Sequence, residues 1–321
     1  MINDTNDIKV SVCVVTYNQE KYIAECLDSL VSQETDFKFE IIVGEDCSTD
    51  GTRAIVQQYV DKYPDIVKPI FHKNNVGAVE NVKQVYIAAK GKYIAHMDGD
   101  DMALPNKLQK QFDTLEAHPN AIICSHNMLG ILNGNILDEQ RWYYPEGDYG
   151  FLDLIKNLPF FAHSSKFFRV VHDINLSAVL RDEDTLDIEL HLHQSLFGSI
   201  LHLEDNLGCY RFDTGISSVK ENKLNSKLIK RVEAIYDKLS INNPSLLIDI
   251  NRSYAFYLLN TAYGYAVFES NSGKLKEYTI KSIKKDIYST KQIVMLLLVV
   301  FPNLGVFALK NRYKMKHKYL K

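Results

Sequence analysis

The stretch GKYIAHMDGDD, residues 91–101, decides the fold class and marks the candidate site. Residues 92–97 read as a buried strand, and Asp98, Asp100 and Asp101 follow where that strand ends. Ligands of open α/β sheets bind beyond the carboxyl ends of the strands. Three crowded acids repel one another unless a cation lies between them, and a site made of oxygen atoms suits Mg²⁺ or Mn²⁺. The alternative is a solvated acidic turn in which Gly99 supplies a positive φ.

Strands and helices alternate through the first part of the chain. Residues 10–15 are apolar and β-branched, which is typical of a strand buried on both faces, and residues 22–31 carry apolar side chains at helical spacing. Further strands are predicted at 39–43, 66–71, 92–97 and 121–124. Helices are predicted at 52–63 and 78–89, and Pro105 opens a third helix at its first turn. This order predicts an α/β fold with a doubly wound, mostly parallel sheet.

The alternation weakens after about residue 127. Residues 130–144 predict a hairpin that turns at Asn133-Gly134, followed by a helix at 186–197 and a strand at 199–203. From residue 223 onward the chain reads as helical. We therefore expect a catalytic domain over residues 1–220 and a helical C-terminal region over residues 221–321.

Composition sets limits on the partners. A chain of 321 residues with 46% hydrophobic and 24% charged residues is typical of a globular protein. The net charge of −3 argues against nucleic acid as a partner. The five cysteines are scattered without metal-site spacing, and the polar N-terminus lacks a secretory signal. These features predict a cytoplasmic protein.

The C-terminal tail, about residues 291–321, has a different character. Residues 293–309 are almost wholly apolar and contain Pro302, and the residues after them carry Lys and Arg without any acid. This apolar segment is short for a bilayer span. An apolar segment followed by basic residues is typical of an interfacial anchor on an anionic leaflet, so we expect peripheral contact with the inner face of the cell membrane. The alternative is packing on the catalytic domain or on a partner subunit.

Polar residues follow the first two predicted strands and should converge on one crevice. After the first strand come Thr16, Tyr17, Asn18 and Glu20. After the second, Asp46 could hydrogen-bond a nucleotide base, whereas Asp50 could simply cap the helix near Thr52. The first strand is followed by neither GxGxxG nor a Walker lysine loop, so bound phosphates would need a metal ion.

Four spaced motifs together resemble one enzyme family. They are TYNxExY (16–22), ExxxGEDCSTDGT (40–52), NxGxxxN (75–81), and the opening stretch followed by Lys107-Leu108-Gln109. The arrangement resembles the inverting family 2 glycosyltransferases, which have the nucleotide-diphospho-sugar transferase fold called GT-A. The resemblance is dense over residues 10–128 and thinner to about residue 218.

The resemblance implies a role for each matched residue. The nucleotide pocket would be lined by Thr16, Tyr17, Asn18 and Glu20. Asp46 would hold the base, which is most often uracil in this family. In the DXD pattern, Asp98 would lie near the ribose and donor sugar, and Asp100 would ligate a divalent cation, Mn²⁺ or Mg²⁺. Asp101 would support the sugar or the water shell of the metal.

The general base is sought among the acids near the start of the predicted helix at 186–197. An inverting transfer needs a carboxylate on the sugar face opposite the leaving diphosphate. The candidates are Asp182, Glu183, Asp184 and Asp187. The family commonly shows Gly-Asp-Trp before a helix that ends in glycine; here Leu186-Asp187-Ile188 precedes Gly198 at matching spacing, and the residues that flank Asp187 differ from the family pattern. We assign Asp187 as the base, with Asp184 second; a helix N-terminal charge is the alternative for Asp187.

Three more residues are implied at the site. Residues 210–217 resemble a family segment in which histidine often occupies the position of Asp213, so Asp213 is a second candidate metal ligand. Arg211 is a candidate for phosphate binding or for loop positioning. His163, Ser164 and Ser165 could line the acceptor side, or His163 could be a hydrogen-bonded loop histidine.

The leading hypothesis is therefore a hexosyl- or N-acetylhexosaminyltransferase. It would transfer one sugar from a nucleotide-sugar to a glycan or lipid-linked glycan in cell-surface polysaccharide assembly. The resemblance implies that the nucleotide is UDP. One alternative is a nucleotidyltransferase, which would need a glycine-rich, lysine-bearing loop after the first strand. The other is a nucleotide-sugar-binding protein without transferase activity.

Overall fold

A computed structural model of the chain describes residues 8–156, 158, 161–171, 179–212 and 224–317. These residues form two compact units. The second unit comprises residues 155–156 and 224–317, and the first comprises the rest.

The first unit is built on a sheet of ten strands among the described residues. In chain order they are β1 (Val10–Thr16), β2 (Phe39–Glu45), β3 (Val67–Phe71), β4 (Tyr93–Asp98), β5 (Met102–Ala103), β6 (Ala121–Leu132), β7 (Asn135–Trp142), β8 (Gly147–Tyr149), β9 (Phe167–Arg169) and β10 (Ser199–Arg211). Their spatial order is β3-β2-β1-β4-β9-β6-β10-β5, with β7 beside β6 and β8 beside β10. Strands β3, β2, β1 and β4 are parallel, which confirms the predicted sheet.

The described helices follow the periodicity of the sequence. They are α1 (Ile23–Val31), α2 (Thr52–Lys62), α3 (Ala78–Ala88), α4 (Lys107–Ala117), α5 (Phe151–Lys156), α6 (Asp187–Gln194), α7 (Ser226–Asn242), α8 (Leu247–Phe268), α9 (Ser272–Lys285), α10 (Thr290–Leu298) and α11 (Pro302–His317). In α1, the buried residues recur at helical spacing, namely Ile23, Cys26, Leu27 and Leu30. They join β1, whose residues are almost all buried, in one apolar core.

Several predicted boundaries are wrong. Helix α4 begins at Lys107 behind Asn106, which has a left-handed φ of 67°, so Pro105 precedes the helix instead of opening it. Strand β6 continues to Leu132, and β10 continues to Arg211 through an irregular register between residues 203 and 206. Strand β9 was not predicted; it lies antiparallel between β4 and β6. Three residues are too few for a periodic signal, so tertiary pairing decides this strand.

The predicted hairpin is confirmed. Strands β6 and β7 are antiparallel, and Leu132 pairs with Asn135 across the turn. Asn133 and Gly134 have φ angles of 49° and 77°. Two consecutive positive φ angles fit the type I′ turn that Asn-Gly favours.

The second unit is helical, as the sequence predicted for the region after residue 223. Helix α8 is its centre, because α7, α9 and α11 all pack against it. The rings of Tyr236 in α7 and Tyr254 in α8 stack with centroids 4.7 Å apart. None of the helices in the described part of the chain has both the length and the apolar character that crossing a bilayer requires.

The end of β2 packs directly against α3, and a glycine makes this contact possible. The Asn81 side chain donates from Nδ2 to the Gly44 carbonyl oxygen over 2.8 Å. A Cβ atom added at Gly44 would overlap Asn81 Oδ1 and would lie 2.7 Å from Cγ1 of Val85. Both neighbours are buried, so neither can move freely.

We expect Gly44→Ala to lower the free energy of unfolding by about 1–3 kcal/mol, because it overfills a packed contact. Urea denaturation followed by circular dichroism measures the change. Gly273→Ala is the matched control: a Cβ there would have its nearest neighbour at 3.5 Å, so stability should be unchanged or slightly raised. An unchanged denaturation midpoint for Gly44→Ala would contradict this account of the contact.

Candidate active site

The acidic loop after β4 is packed into the protein. Asp100 and Asp101 expose only 9% and 2% of their surface. Gly99 is not among the described residues with a positive φ. A Cβ at Gly99 would lie 2.9 Å from Cβ of Thr16, so glycine is needed here for close approach to the end of β1. The interpretation as a solvated turn with a positive φ is therefore wrong.

Asp98 is held by side chains from two other places in the fold. Ser164 Oγ accepts the Asp98 N–H over 3.0 Å and donates to Asp98 Oδ2 over 3.2 Å. His96 Nε2 lies 3.2 Å from Asp98 Oδ1. Burial raises the pKa of Asp98, but hydrogen bonds from His96 and Ser164 and the charges of His96 and Lys166 outweigh it, so the pKa lies below its usual value. Asp98 is therefore a carboxylate at neutral pH.

Asp101 has one satisfied and one unsatisfied carboxylate oxygen. Oδ1 accepts the Arg211 N–H over 3.0 Å, whereas buried Oδ2 has no hydrogen-bond partner among the residues described. Burial, followed by the charges of Asp100 and Asp98, raises the pKa of Asp101 well above its usual value. A proton or a nearby cation would stabilise such an oxygen. Asp101 Oδ2 and the carboxylates of Asp98 and Asp100 therefore fit a divalent cation that prefers oxygen ligands.

Arg211 fastens the acidic loop to its surroundings. It is 4% exposed; its Nε donates to the Asp100 carbonyl oxygen over 2.9 Å, and its Nη2 donates to Glu25 Oε2 over 2.7 Å. Its guanidinium carbon lies 4.4 Å from the centroid of the Tyr22 ring. These contacts tie β10 to the loop after β4 and to α1. Of the two roles that the sequence left open for Arg211, the described contacts are those of loop positioning.

Two histidines form a stacked pair behind Asp98. The rings of His96 and His163 have centroids 3.6 Å apart and planes at 12°. The Tyr86 hydroxyl lies 2.9 Å from His96 Nδ1 and 3.4 Å from His163 Nε2. Since Asp98 is ionised, His96 Nε2–H donates to it. The Tyr86 hydroxyl links the two histidines, because it lies within hydrogen-bond distance of one nitrogen of each ring.

This chain of hydrogen bonds ends beside the assigned base. His163 Nδ1 lies 4.0 Å from Asp187 Oδ2. Burial lowers the pKa of His163 well below its usual value, and the protonated forms of His96, Lys166 and His191 would lower it further. His163 is therefore neutral.

Asp187 is the first residue of α6, and 37% of its side chain is exposed. Its Oδ1 accepts the Ile188 N–H over 2.8 Å. Burial raises the pKa of Asp187 above its usual value, and the negative charge of Asp98 acts in the same direction. The other three candidate bases are exposed residues of the preceding turn, namely Asp182, Glu183 and Asp184. Asp187 lies beside the histidine pair, with its Oδ2 4.0 Å from His163 Nδ1.

The histidine pair does not form a good metal site. Ligating atoms of His96, Asp98 and His163 lie within 4.8 Å of one another. An imidazole nitrogen binds a metal through a lone pair in the plane of its ring. Two nearly parallel planes 3.6 Å apart share no position for one ion. The acidic loop fits a cation better than this cluster does.

The loops after β1 and β2 are joined by hydrogen bonds. Asn18, with a left-handed φ of 52°, accepts the Thr49 N–H at its Oδ1 over 2.8 Å. Glu20 Oε2 accepts the Gly51 N–H over 2.7 Å. Asp50 Oδ1 accepts the N–H of Thr52, the first residue of α2, over 3.0 Å, but the N-cap residue of this helix is Gly51. The loops after β1 and β2 therefore lie against each other.

Thr16, Tyr17 and Asp46 stand where β1 and β2 end, and they differ in exposure. Thr16 is 3% exposed, whereas Tyr17 is 44% exposed and free to stack on a ring. Asp46 is buried, and its two carboxylate oxygens accept the N–H groups of Val76 and Gly77 over 2.7 and 3.0 Å. Asp46 thus anchors the loop before α3. A bound base would share these oxygens, each of which has a second lone pair.

Three residues of the site were not predicted from the sequence: Tyr86, His96 and Lys166. His96 stands two positions before Asp98 in β4, and this spacing places both side chains on one face of the strand, so it could have been found. Lys166 is fully buried, and burial lowers its pKa to about 7. The predicted metal ligand Asp213 lies outside the described residues.

Sequence comparison finds relatives with glycosyltransferase names. A protein of Mycobacterium bovis that is named only as uncharacterised is 31% identical over 206 residues, 63% of this chain and 58% of that protein. The Bacillus subtilis protein EpsE, named as a glycosyltransferase, is 39% identical over 121 residues, 38% of this chain and 43% of EpsE. TuaG of the same organism, named for teichuronic acid biosynthesis, is 33% identical over 130 residues, 40% of this chain and 51% of TuaG. The chain thus spans about half the length of these relatives.

Comparison of structures gives the fold. TarS of S. aureus, residues 1–349 in complex with UDP-GlcNAc, superposes with a TM-score of 0.59 at 20% identity, covering 96% of this chain and 92% of TarS. The mannosyltransferase PcManGT of Pyrobaculum calidifontis, solved with GDP-Man and Mn²⁺, gives a TM-score of 0.56 at 16% identity, covering 98% and 86%. The predicted GT-A fold is confirmed. The sequence also matches the family described as glycosyl transferase family 2 over residues 11–176, more than half of its length, and the chain belongs to that family.

Proposed function

We propose that the protein transfers one hexosyl or N-acetylhexosaminyl residue, with inversion, from a nucleotide-sugar to a glycan or lipid-linked glycan in polysaccharide assembly. The observation that carries the proposal is the buried acidic loop after β4, connected through His96, Tyr86 and His163 to Asp187. In this proposal the acidic loop would hold the cation that binds a diphosphate, and the carboxylate of Asp187, whose pKa is raised, would act on the acceptor. We assign the reaction to a domain over residues 1–220, with residues 221–321 as a helical appendage.

The donor in this proposal is a UDP-sugar. The exposed ring of Tyr17 and the crevice between the loops after β1 and β2 support a nucleotide there. TarS was solved with UDP-GlcNAc and PcManGT with GDP-Man, so the shared fold alone accommodates either base. The proposed nucleotide-contacting side chains are Thr16, Tyr17, Asn18, Glu20 and Asp46.

The acidic loop is the proposed place for Mn²⁺ or Mg²⁺. Asp100 would hold the cation, with Asp98 and Asp101 beside it and Asp213 as a further ligand. When bound, the cation would offset negative charge on the leaving diphosphate, so that no protein acid is needed there. The contribution of Arg211 is to keep the loop in position through the Asp100 carbonyl oxygen.

Asp187 is the proposed general base. The acceptor hydroxyl gives its proton to Asp187 Oδ2 as its oxygen bonds to the anomeric carbon. The bond from that carbon to the diphosphate oxygen breaks, and its electron pair leaves with the nucleotide. The neutral ring of His163, whose Nδ1 lies 4.0 Å from Asp187 Oδ2, could form a hydrogen bond with a second hydroxyl of the acceptor and so orient it. Asp184 is the second candidate base.

The proposed site of action is the inner face of the cell membrane. Lipid-linked acceptors would present their glycans there, and the basic tail, about residues 291–321, would favour that surface.

We expect Asp100→Asn to reduce Mn²⁺-dependent release of UDP from UDP-sugars on the order of a thousandfold, because a cation site contributes several kcal/mol to catalysis. Slow hydrolysis of a panel of UDP-sugars in the presence of Mn²⁺ provides the measurement and needs no acceptor. Asp65→Asn, a change at an exposed acid before β3, is the control and should retain full turnover. Turnover by Asp100→Asn at the wild-type rate would remove Asp100 as a ligand. If no UDP-sugar is hydrolysed by the wild type, the proposed donor is wrong.

We expect Asp187→Asn to lose hydrolysis by about 10²–10⁴-fold while binding UDP with unchanged affinity by calorimetry. A base must be deprotonated, so wild-type activity should fall as the pH drops through the raised pKa of Asp187, above its usual 3.8. The residual activity of Asp187→Asn should not show this fall at low pH. Asp184→Asn is the matched control. Loss of hydrolysis in Asp184→Asn with retention in Asp187→Asn would show that the base is misassigned.

A further inference from the structure

The last two helices expose an apolar surface that the proposed reaction does not use. We define the tail surface as the large apolar side chains of α10, α11 and their connection that are 42–67% exposed: Ile293, Val294, Leu296, Leu297, Val300, Phe301, Leu304, Phe307 and Met315. Single exposed apolar residues are ordinary on protein surfaces. Nine within 23 consecutive residues form a concentration of the kind that marks an interaction site.

The exposed and buried residues lie on opposite sides of each helix. In α10 and its C-cap, Gln292, Met295 and Val299 are buried, whereas Ile293 and Leu297, four residues apart, are exposed. In α11, Leu304, Phe307 and Met315 fall on one side at about 100° per residue. Val306 and Leu309 fall on the other side and are buried. Each helix therefore has one packed face and one face that is exposed in the part of the chain that the structure describes.

The protein itself fixes the shape of this surface. Gln292 Nε2 donates to Ser282 Oγ over 3.0 Å and to the Asp286 carbonyl oxygen over 2.7 Å, which ties α10 to α9. A Cβ at Gly305 would lie 2.6 Å from the Leu298 carbonyl oxygen, so α10 and α11 meet closely. The two helices are thus held in place before any partner binds.

Charge singles out one kind of partner. All 40 acidic residues of the chain precede residue 287, whereas residues 287–321 carry seven Lys and Arg residues. On α11, Arg312 and Lys314 project about 80° to either side of Leu304 at 100° per residue. When such a helix lies on a membrane, its apolar side chains enter the hydrocarbon and the basic side chains on either side reach the lipid headgroups.

We propose that the tail surface inserts shallowly into a lipid bilayer with an anionic surface, independently of the reaction assigned to the first unit. Helix α11 is about 24 Å long and α10 about 14 Å, both shorter than the hydrocarbon core of about 30 Å, so they lie along the interface. A second copy of the chain fits less well, because two tail surfaces facing each other would bring like charges together.

The test is co-sedimentation of the full chain with vesicles of phosphatidylcholine, with and without phosphatidylglycerol. We expect binding that requires phosphatidylglycerol and weakens in high salt. Phe301→Ser with Leu304→Ser and Phe307→Ser should weaken binding more than about a hundredfold, since each buried side chain contributes strongly. Arg312→Gln with Lys314→Gln should weaken it about twenty-five-fold, about fivefold for each charge near the anionic surface.

Matched controls use exposed residues of the same unit outside the tail. Ile241→Ser with Ile248→Ser removes two side chains that are 78% and 74% exposed, and Lys230→Gln with Lys276→Gln removes two exposed charges. Both pairs should bind vesicles like the wild type. Wild-type protein that stays in the supernatant, or a triple serine variant that sediments fully, overturns the proposal. So does a wild-type dimer in size-exclusion chromatography that the triple serine variant converts to monomer, because the tail surface would then cover a second copy.

Discussion

The site depends on how the protein stabilises the carboxylates that it buries at the end of β4. A buried carboxylate is stable only when a proton, a hydrogen-bond donor or a cation meets each oxygen. The protein meets Asp98 with His96 and Ser164, and it meets one oxygen of Asp101 with a backbone N–H. The second oxygen of Asp101 has no hydrogen-bond partner among the described residues. Around it, three acids of one loop depend on positions set by β1, β10 and the turn at residues 163–165.

The same constraint keeps two histidines behind the loop neutral. Burial and the nearby amino group of Lys166 both disfavour protonation of His163 and His191. A neutral imidazole has one donor and one acceptor, so it can form a hydrogen bond on each side of its ring. Tyr86 links the ring of His96, which contacts Asp98, to the ring of His163, whose Nδ1 lies 4.0 Å from Asp187 Oδ2.

Much of the fold followed from local sequence, and the limits of prediction have physical causes. Alternation of apolar strands with amphipathic helices gave β1 to β4, because each is long enough to show its period. The acids after β4 were recognised because parallel strands deliver their ends to one edge. Strand β9 was missed, since three residues gain their conformation only from pairing with β4 and β6. Tyr86 and Lys166 were missed for the same reason: nothing local distinguishes a tyrosine or lysine that tertiary packing will bury.

The position of β9 has a consequence for how this scaffold can change. Because β9 is the neighbour of β4, the turn just before it supplies Ser164 to Asp98, which is 66 residues away in the chain. The same turn supplies His163 to Asp187. A chimera that took β9 and the residues after it from a relative, together with the turn at residues 163–165, would also replace the side chains that hold Asp98 at the end of β4. Exchanges that leave this turn in place would not disturb Asp98.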